Sequence, residues 1–237
     1  MKLSFNGLRV TNLSFSFDKS KPLFFDSLSL ACPRGSVTFL QGKNGIGKST
    51  LFRILRDQIK PHEQLTGSFE LDGARFAVAH NQLPPTYTSQ VKMVVQNAES
   101  MLALQCTVLQ NLQLANLPMY PTLAALPDIH EMSDLLVDKH INLDASAQML
   151  SGGQRQLLAI AMVLQTPTAL LLLDEPTAAL DERNARLVIE TIIQVAQKRN
   201  LTVLIITHDA ELVAQYPSLG LLHLHEVNNR KVIERIR

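Results

Sequence analysis

Residues 42–49, Gly-Lys-Asn-Gly-Ile-Gly-Lys-Ser, constrain this chain more than any other stretch. They fit G-x-x-x-x-G-K-[ST], a loop that cradles phosphates when it joins a strand to a helix. Both flanks are present. Val37-Thr38-Phe39-Leu40 reads as a buried strand and residues 50–56 as a helix. Phosphate oxygens are anionic, so inward-pointing N–H groups at a helix N-terminus hold them by hydrogen bonds and dipole together. Gly42, Gly45 and Gly47 allow the close approach that a Cβ would block. Lys48 is predicted to reach the β- and γ-phosphates and the Ser49 hydroxyl to ligate Mg²⁺, with Asn44 and Thr50 beside them. The loop implies a nucleoside triphosphate site.

Composition narrows the rest. The 237 residues suffice for a packed core, and 46% apolar with 18% charged residues is a globular profile. A net charge of +1 gives no nucleic-acid or membrane-surface footprint. Cys32 and Cys106 stand far apart, without metal spacing or a disulfide framework, as in a reducing compartment. Residues 1–6 lack the apolar core of a signal peptide. The longest apolar run, 157–164, is far short of the roughly 18 residues a membrane span needs.

Along the chain, residues 8–17 nearly alternate in polarity with one slip, and Phe25 to Leu30 forms a second strand-like run. Short strand-like pieces follow at 67–79, and 91–96 reads as a short buried strand. The stretch 98–165 is Leu-rich and helical in period, broken by Pro118, Pro121 and Pro127. Two continuous apolar strands, 170–173 and 203–206, flank a helix over about 181–198, which implies a parallel sheet covered on both faces. Residues 221–236, with Asn228-Asn229 at the turn, read as a hairpin. The expected architecture is α/β: a P-loop NTPase parallel sheet with a flanking antiparallel β-layer and an inserted helical subdomain. Residues 1–97 and 151–237 would form the nucleotide-binding core, and about 98–150 the subdomain.

A second motif supports the first. The run 170–173 ends in Asp174 and Glu175. Ligands of open parallel sheets bind outside the carboxyl ends of strands, which would place Asp174 beside the P-loop to hold Mg²⁺. Glu175 is then placed to orient or deprotonate a water that attacks the γ-phosphate.

The third motif is Leu150-Ser151-Gly152-Gly153-Gln154. Locally it is a helix start with Ser151 as N-cap, but two adjacent glycines weaken a first turn by about 1 kcal/mol each. A helix N-terminus stripped of side chains suits an anion. The stretch resembles the signature motif of ATP-binding cassette (ABC) ATPases, and residues 8–235 resemble a complete nucleotide-binding subunit of that family. Gln96 is similar to its Q-loop glutamine, Ala179-Leu180-Asp181 to its D-loop, and His208 to its switch histidine. Phe17 stands where the family stacks an aromatic on adenine, although an aromatic at a strand end also serves as core or edge packing.

The resemblance implies an ATPase that acts as a head-to-tail homodimer or heterodimer with two ATP molecules between the subunits. Ser151 and Gly153 of one chain would then contact the γ-phosphate held by Lys48 of the other, with Asp181 at the same interface. Gln96 would be catalytic and share Mg²⁺ with Ser49 and Asp174. The implied role is to energise a separate integral membrane permease from the cytoplasmic face of the cell membrane, without nucleic acid. The soluble alternatives, in translation or DNA maintenance, call for a second cassette or a long coiled coil. This chain holds one cassette and no sustained heptads. Residues 95–98 and 177–181 resemble a bacterial uptake branch, some of whose members have lipoprotein partners, so an extracytoplasmic solute-binding protein is a further implied partner. His223 and His225 share a hairpin face, as a metal pair or as surface residues. Lys43 and Arg53 are read as solvated or phosphate-adjacent.

Overall fold

The computed structural model describes residues 6–117 and 129–237. The three prolines expected to break the helical insertion lie outside the described residues. The elements begin with β1 (Gly7–Ser16), β2 (Phe25–Pro33), β3 (Val37–Gln41), α1 (Lys48–Leu55), β4 (Gln64–Leu71), β5 (Ala74–Ala77), α2 (Pro85–Thr88) and β6 (Val91–Val94). Then come α3 (Val108–Ala115), α4 (His130–Asp138) and α5 (Gly152–Val163). They are followed by β7 (Leu170–Asp174), α6 (Glu182–Arg199), β8 (Thr202–Ile206), α7 (Ala210–Ala214), β9 (Gly220–Val227) and β10 (Arg230–Arg235). The chain divides into two compact units, one of residues 1–92, 168–175 and 192–237, the other of 93–167 and 176–191.

The first unit contains an antiparallel sheet in the order β2-β1-β4-β5. Leu8, Val10, Leu13 and Phe15 of β1 point into its core. The slip in their alternation is a bulge. Registry shifts between Val10 and Leu13, where Asn12 takes a φ of 52° and its N–H donates to Ser29 Oγ at 3.0 Å. An extra residue on one strand returns Leu13 to the buried face.

The second sheet has the order β10-β9-β3-β8-β7-β6. The strands β3, β7 and β8 run parallel, and every residue of β8 is buried, so their apolar runs are continuous rather than alternating. The register sets Leu40 of β3 and Asp174 of β7 opposite the same residue, Ile206 of β8. Three strand ends therefore open at one level, where the P-loop, Glu175 and His208 follow. At the edge, β9 and β10 pair through Asn228 (φ 50°) and Asn229 (φ 62°), a turn that matches strand twist. The strand β6 is only half covered, with Val91 and Val94 buried.

The second unit carries α3, α4 and α5. Both α3 and α5 begin in reciprocal capping boxes, Thr107 with Gln110 and Ser151 with Gln154. The fully buried Asn111 side chain ties down the preceding loop. Its Nδ2 donates to the carbonyls of Ala103 (3.0 Å) and Thr107 (2.9 Å), and its Oδ1 accepts from Ala103 N–H.

Candidate nucleotide site

Gly47 caps α1 with a φ of 119°, and a Cβ there would lie 2.6 Å from the Phe24 ring. Backbone conformation and close approach both demand glycine at this position. Lys48 opens the helix, buried to 6% exposure, and its Nζ donates to the carbonyls of Gly42 (2.8 Å) and Lys43 (3.1 Å). Burial pulls the ammonium pKa below its ordinary value, opposed by the Glu175 and Asp174 carboxylates. Asn44, Gly45 and Ser49 are exposed and Thr50 half-buried, which leaves the loop rim open.

Glu175 follows β7 in the left-handed region (φ 49°), with its N–H on the Ile206 carbonyl at 3.0 Å. This turn directs its carboxylate to the end of β8. There Oε2 accepts from the His208 N–H at 3.3 Å, and Oε1 faces His208 Nε2 at 3.3 Å. The His208 backbone is fixed on both sides. Buried Thr207 accepts from the Asp209 N–H at 3.1 Å, and Asp209 caps α7 through the Leu212 N–H at 2.8 Å.

Burial raises the pKa of both carboxyls, Asp174 against the opposing pull of Lys48 and His208, Glu175 against that of His208 first. A carboxylate with raised affinity for a proton is the better general base. Glu175 Oε1 is shut off from solvent and makes no hydrogen bond. Ser49 carries a hydroxyl and Asp174 a carboxylate, oxygen donors of the kind Mg²⁺ prefers. Among the described residues no cluster of three or more His, Cys, Asp and Glu could hold a metal.

Phe17 lies one residue beyond β1 and is 38% exposed. Its ring meets Phe15 at 5.1 Å and Phe24 at 4.9 Å, both edge to face, so it packs and still leaves surface open. Arg53 departs from the sequence reading. Its guanidinium forks onto buried Glu63 at 2.7 and 2.8 Å and lies over the Phe15 and Phe17 rings, so it is neither solvated nor free for phosphate.

The remaining expected residues belong to the second unit. Gln96 is exposed two residues after β6. Ser151 accepts from the Gln154 N–H at 3.3 Å and lines a polar cavity of about 900 Å³ with Asp181, Asn184 and Arg186. The paired glycines have a packing cause that the sequence reading missed. A Cβ on Gly153 would lie 3.0 Å from the Asn184 side chain, and one on Gly152 3.0 Å from Leu180 Cδ2. Asn184 is in turn held by Asp181, through its N–H to Oδ1 at 2.9 Å and its Nδ2 to Oδ2 at 2.6 Å. Those bonds keep the Asp181 pKa below its ordinary value. His223 and His225 stack at 5.2 Å, and among the described residues they join no group of three or more metal-ligating side chains. Phe24 and Asn184 escaped the sequence reading because their contacts come from chain segments that no local pattern joins.

Residues 25–178 match the family model described as "ABC transporter". A probable iron chelatin transport ATP-binding protein of Helicobacter pylori (strain ATCC 700392 / 26695) is 34% identical, over 88% of this chain and 80% of its own length. The lipoprotein-releasing system ATP-binding protein LolD of Buchnera aphidicola subsp. Schizaphis graminum is 30% identical, over 90% and 92%. In fold the chain is similar to cbiO1 of Clostridium perfringens, part of the ABC transporter complex cbiONQ. The TM-score is 0.77 at 24% identity, over 96% of this chain and 87% of that one. Among the described residues no helix is long and apolar enough to cross a membrane. The chain belongs to the ABC transporter family, as an ATP-binding, ATP-hydrolysing subunit that energises transport.

Proposed function

We propose that two copies of this chain, or one copy and a related subunit, close head to tail on two ATP molecules, and that this cycle drives a membrane permease from the cytoplasmic face. The observation that carries the reading is the division of labour between the two units. The P-loop, Asp174, Glu175 and His208 lie in one, and the Ser151 helix start with Asp181 and Asn184 lies in the other. Helix N-termini carry partial positive charge, so two of them approach each other well only with an anion between. Ser151 and Gly153 of one subunit then face the γ-phosphate that Lys48 of the other holds.

Ser49 and Asp174 would hold Mg²⁺, which would neutralise charge on the transferred phosphoryl group. Glu175 takes the proton of the attacking water, His208 orients Glu175 and senses the γ-phosphate, and Phe17 supports the base. Closure on binding and opening after phosphate loss is the mechanical output. The relatives are named for different cargoes, iron chelatin and lipoprotein among them, which supports placing cargo choice in the permease and in any extracytoplasmic binding protein.

The test is copurification from mildly solubilised host membranes, together with the elution volume of Glu175→Gln protein with and without ATP and Mg²⁺. A stoichiometric multi-span partner and an ATP-dependent shift to dimer are expected. A cytosolic protein that stays monomeric with ATP overturns the proposal.

A further inference from the structure

We propose that Lys231, on the C-terminal hairpin, is a positioning residue for nucleotide binding that acts through Phe24. The proposal deepens the reading of the P-loop as the nucleotide site and rests on it. Lys231 Nζ lies over the Phe24 ring, 3.9 Å from its centroid. The same ring turns its Cε1 edge to Gly47, within 2.6 Å of where a Cβ would sit, directly before Lys48. It also meets the Phe17 ring at 4.9 Å and the Phe25 ring at 4.9 Å.

The arrangement follows the charge distribution of an aromatic ring. The face is electron-rich and takes the ammonium, and the electropositive edge turns elsewhere, here to the loop backbone. Phe24 is half-buried, and the packing of a core does not fix it on every side. The cation over its face supplies the missing restraint. At the far end of the same string of rings, Arg53 lies over Phe15 and Phe17 and is anchored by Glu63. Phe17 and Gly47, at the base and phosphate ends of the proposed site, thus share one wall, Phe24, and Lys231 holds that wall in place. The neighbouring Arg230 pairs with Asp26 at 3.2 Å. It docks the same hairpin through Asp26 rather than through the Phe24 face, which makes it the natural control.

The experiment measures ATP affinity with a fluorescent ATP analogue, and KM and kcat for hydrolysis, on the full chain and on Lys231→Met, Lys231→Arg and Arg230→Met. Lys231→Met keeps the aliphatic stem and removes the charge. It should weaken ATP binding and raise KM about three- to tenfold, the range of a partly desolvated cation–π contact, with kcat within about twofold. Lys231→Arg should restore wild-type affinity within about twofold, and Arg230→Met should leave it there. Unchanged affinity in Lys231→Met overturns the proposal, and so does an equal loss in Arg230→Met, which would make hairpin docking the cause. Failure of the underlying reading looks different: wild-type protein would then bind ATP no better than Lys48→Ala protein.

Discussion

His208 meets Glu175 at two points: its backbone N–H donates to Oε2, and its Nε2 lies opposite Oε1, each at 3.3 Å. The carboxylate is thereby aimed from the end of β7 across the end of β8. Glu175→Gln keeps the shape and the ability to accept from the His208 N–H but cannot take a proton. It should retain ATP binding and lose about 10²–10⁴-fold in kcat, the usual worth of a positioned base. Single-turnover hydrolysis beside equilibrium binding checks this, and wild-type turnover in the variant would remove Glu175 from the role of base.

Lys48 Nζ rests on two P-loop carbonyls, so its ammonium is already desolvated and placed before any anion arrives. Lys48→Ala should weaken ATP binding roughly 10- to 100-fold, as loss of a charge-assisted hydrogen bond of about 1.5–3 kcal/mol requires. Titration with a fluorescent ATP analogue measures it. Wild-type affinity would contradict the P-loop assignment.

The two signature glycines should respond differently to alanine. A Cβ on Gly152 meets only the flexible end of Leu180, and one on Gly153 meets the Asn184 side chain that Asp181 pins. Gly152→Ala should be neutral or stabilise by up to about 1 kcal/mol through helix propensity. Gly153→Ala should instead destabilise by about 1–3 kcal/mol through overpacking. Thermal melts of the two variants decide it, and equal shifts would contradict the packing account.

Glu63 gives the pH dependence. Burial alone would raise its pKa, but hydrogen bonds from Arg53 and the Lys60 N–H outweigh that and hold it below its ordinary 4.5. A depressed folded-state pKa adds stability that is fully present above the unfolded value and is lost as pH falls through the folded one. Glu63→Gln should therefore destabilise at pH 7 by about 1–3 kcal/mol. The gap to wild type should close as pH falls below about 4.5. Denaturant melts from pH 7 to pH 3.5 test the sign, and a constant gap would show that charge is not the cause.

Much of the fold and site is legible in the order of residues because the chemistry is local. The P-loop spacing, the apolar run into Asp174-Glu175 and the Ser151 N-cap each lie within one turn or one strand end. Short-range geometry alone fixes what such residues can do. Tertiary structure decided what depends on distant segments meeting. The shared level of Leu40, Asp174 and Ile206 comes from parallel register, which no local pattern encodes. Arg53 looks like a free cation beside a phosphate loop until Glu63, ten residues on, returns to take both of its donors. Gly153 looks like a concession to an anion alone, and the fold adds Asn184 packed against it, while Lys231 gains a role only where the hairpin lays it on Phe24. Close packing and desolvation act through space, so sequence specifies which groups are available and the folded chain specifies which of them meet.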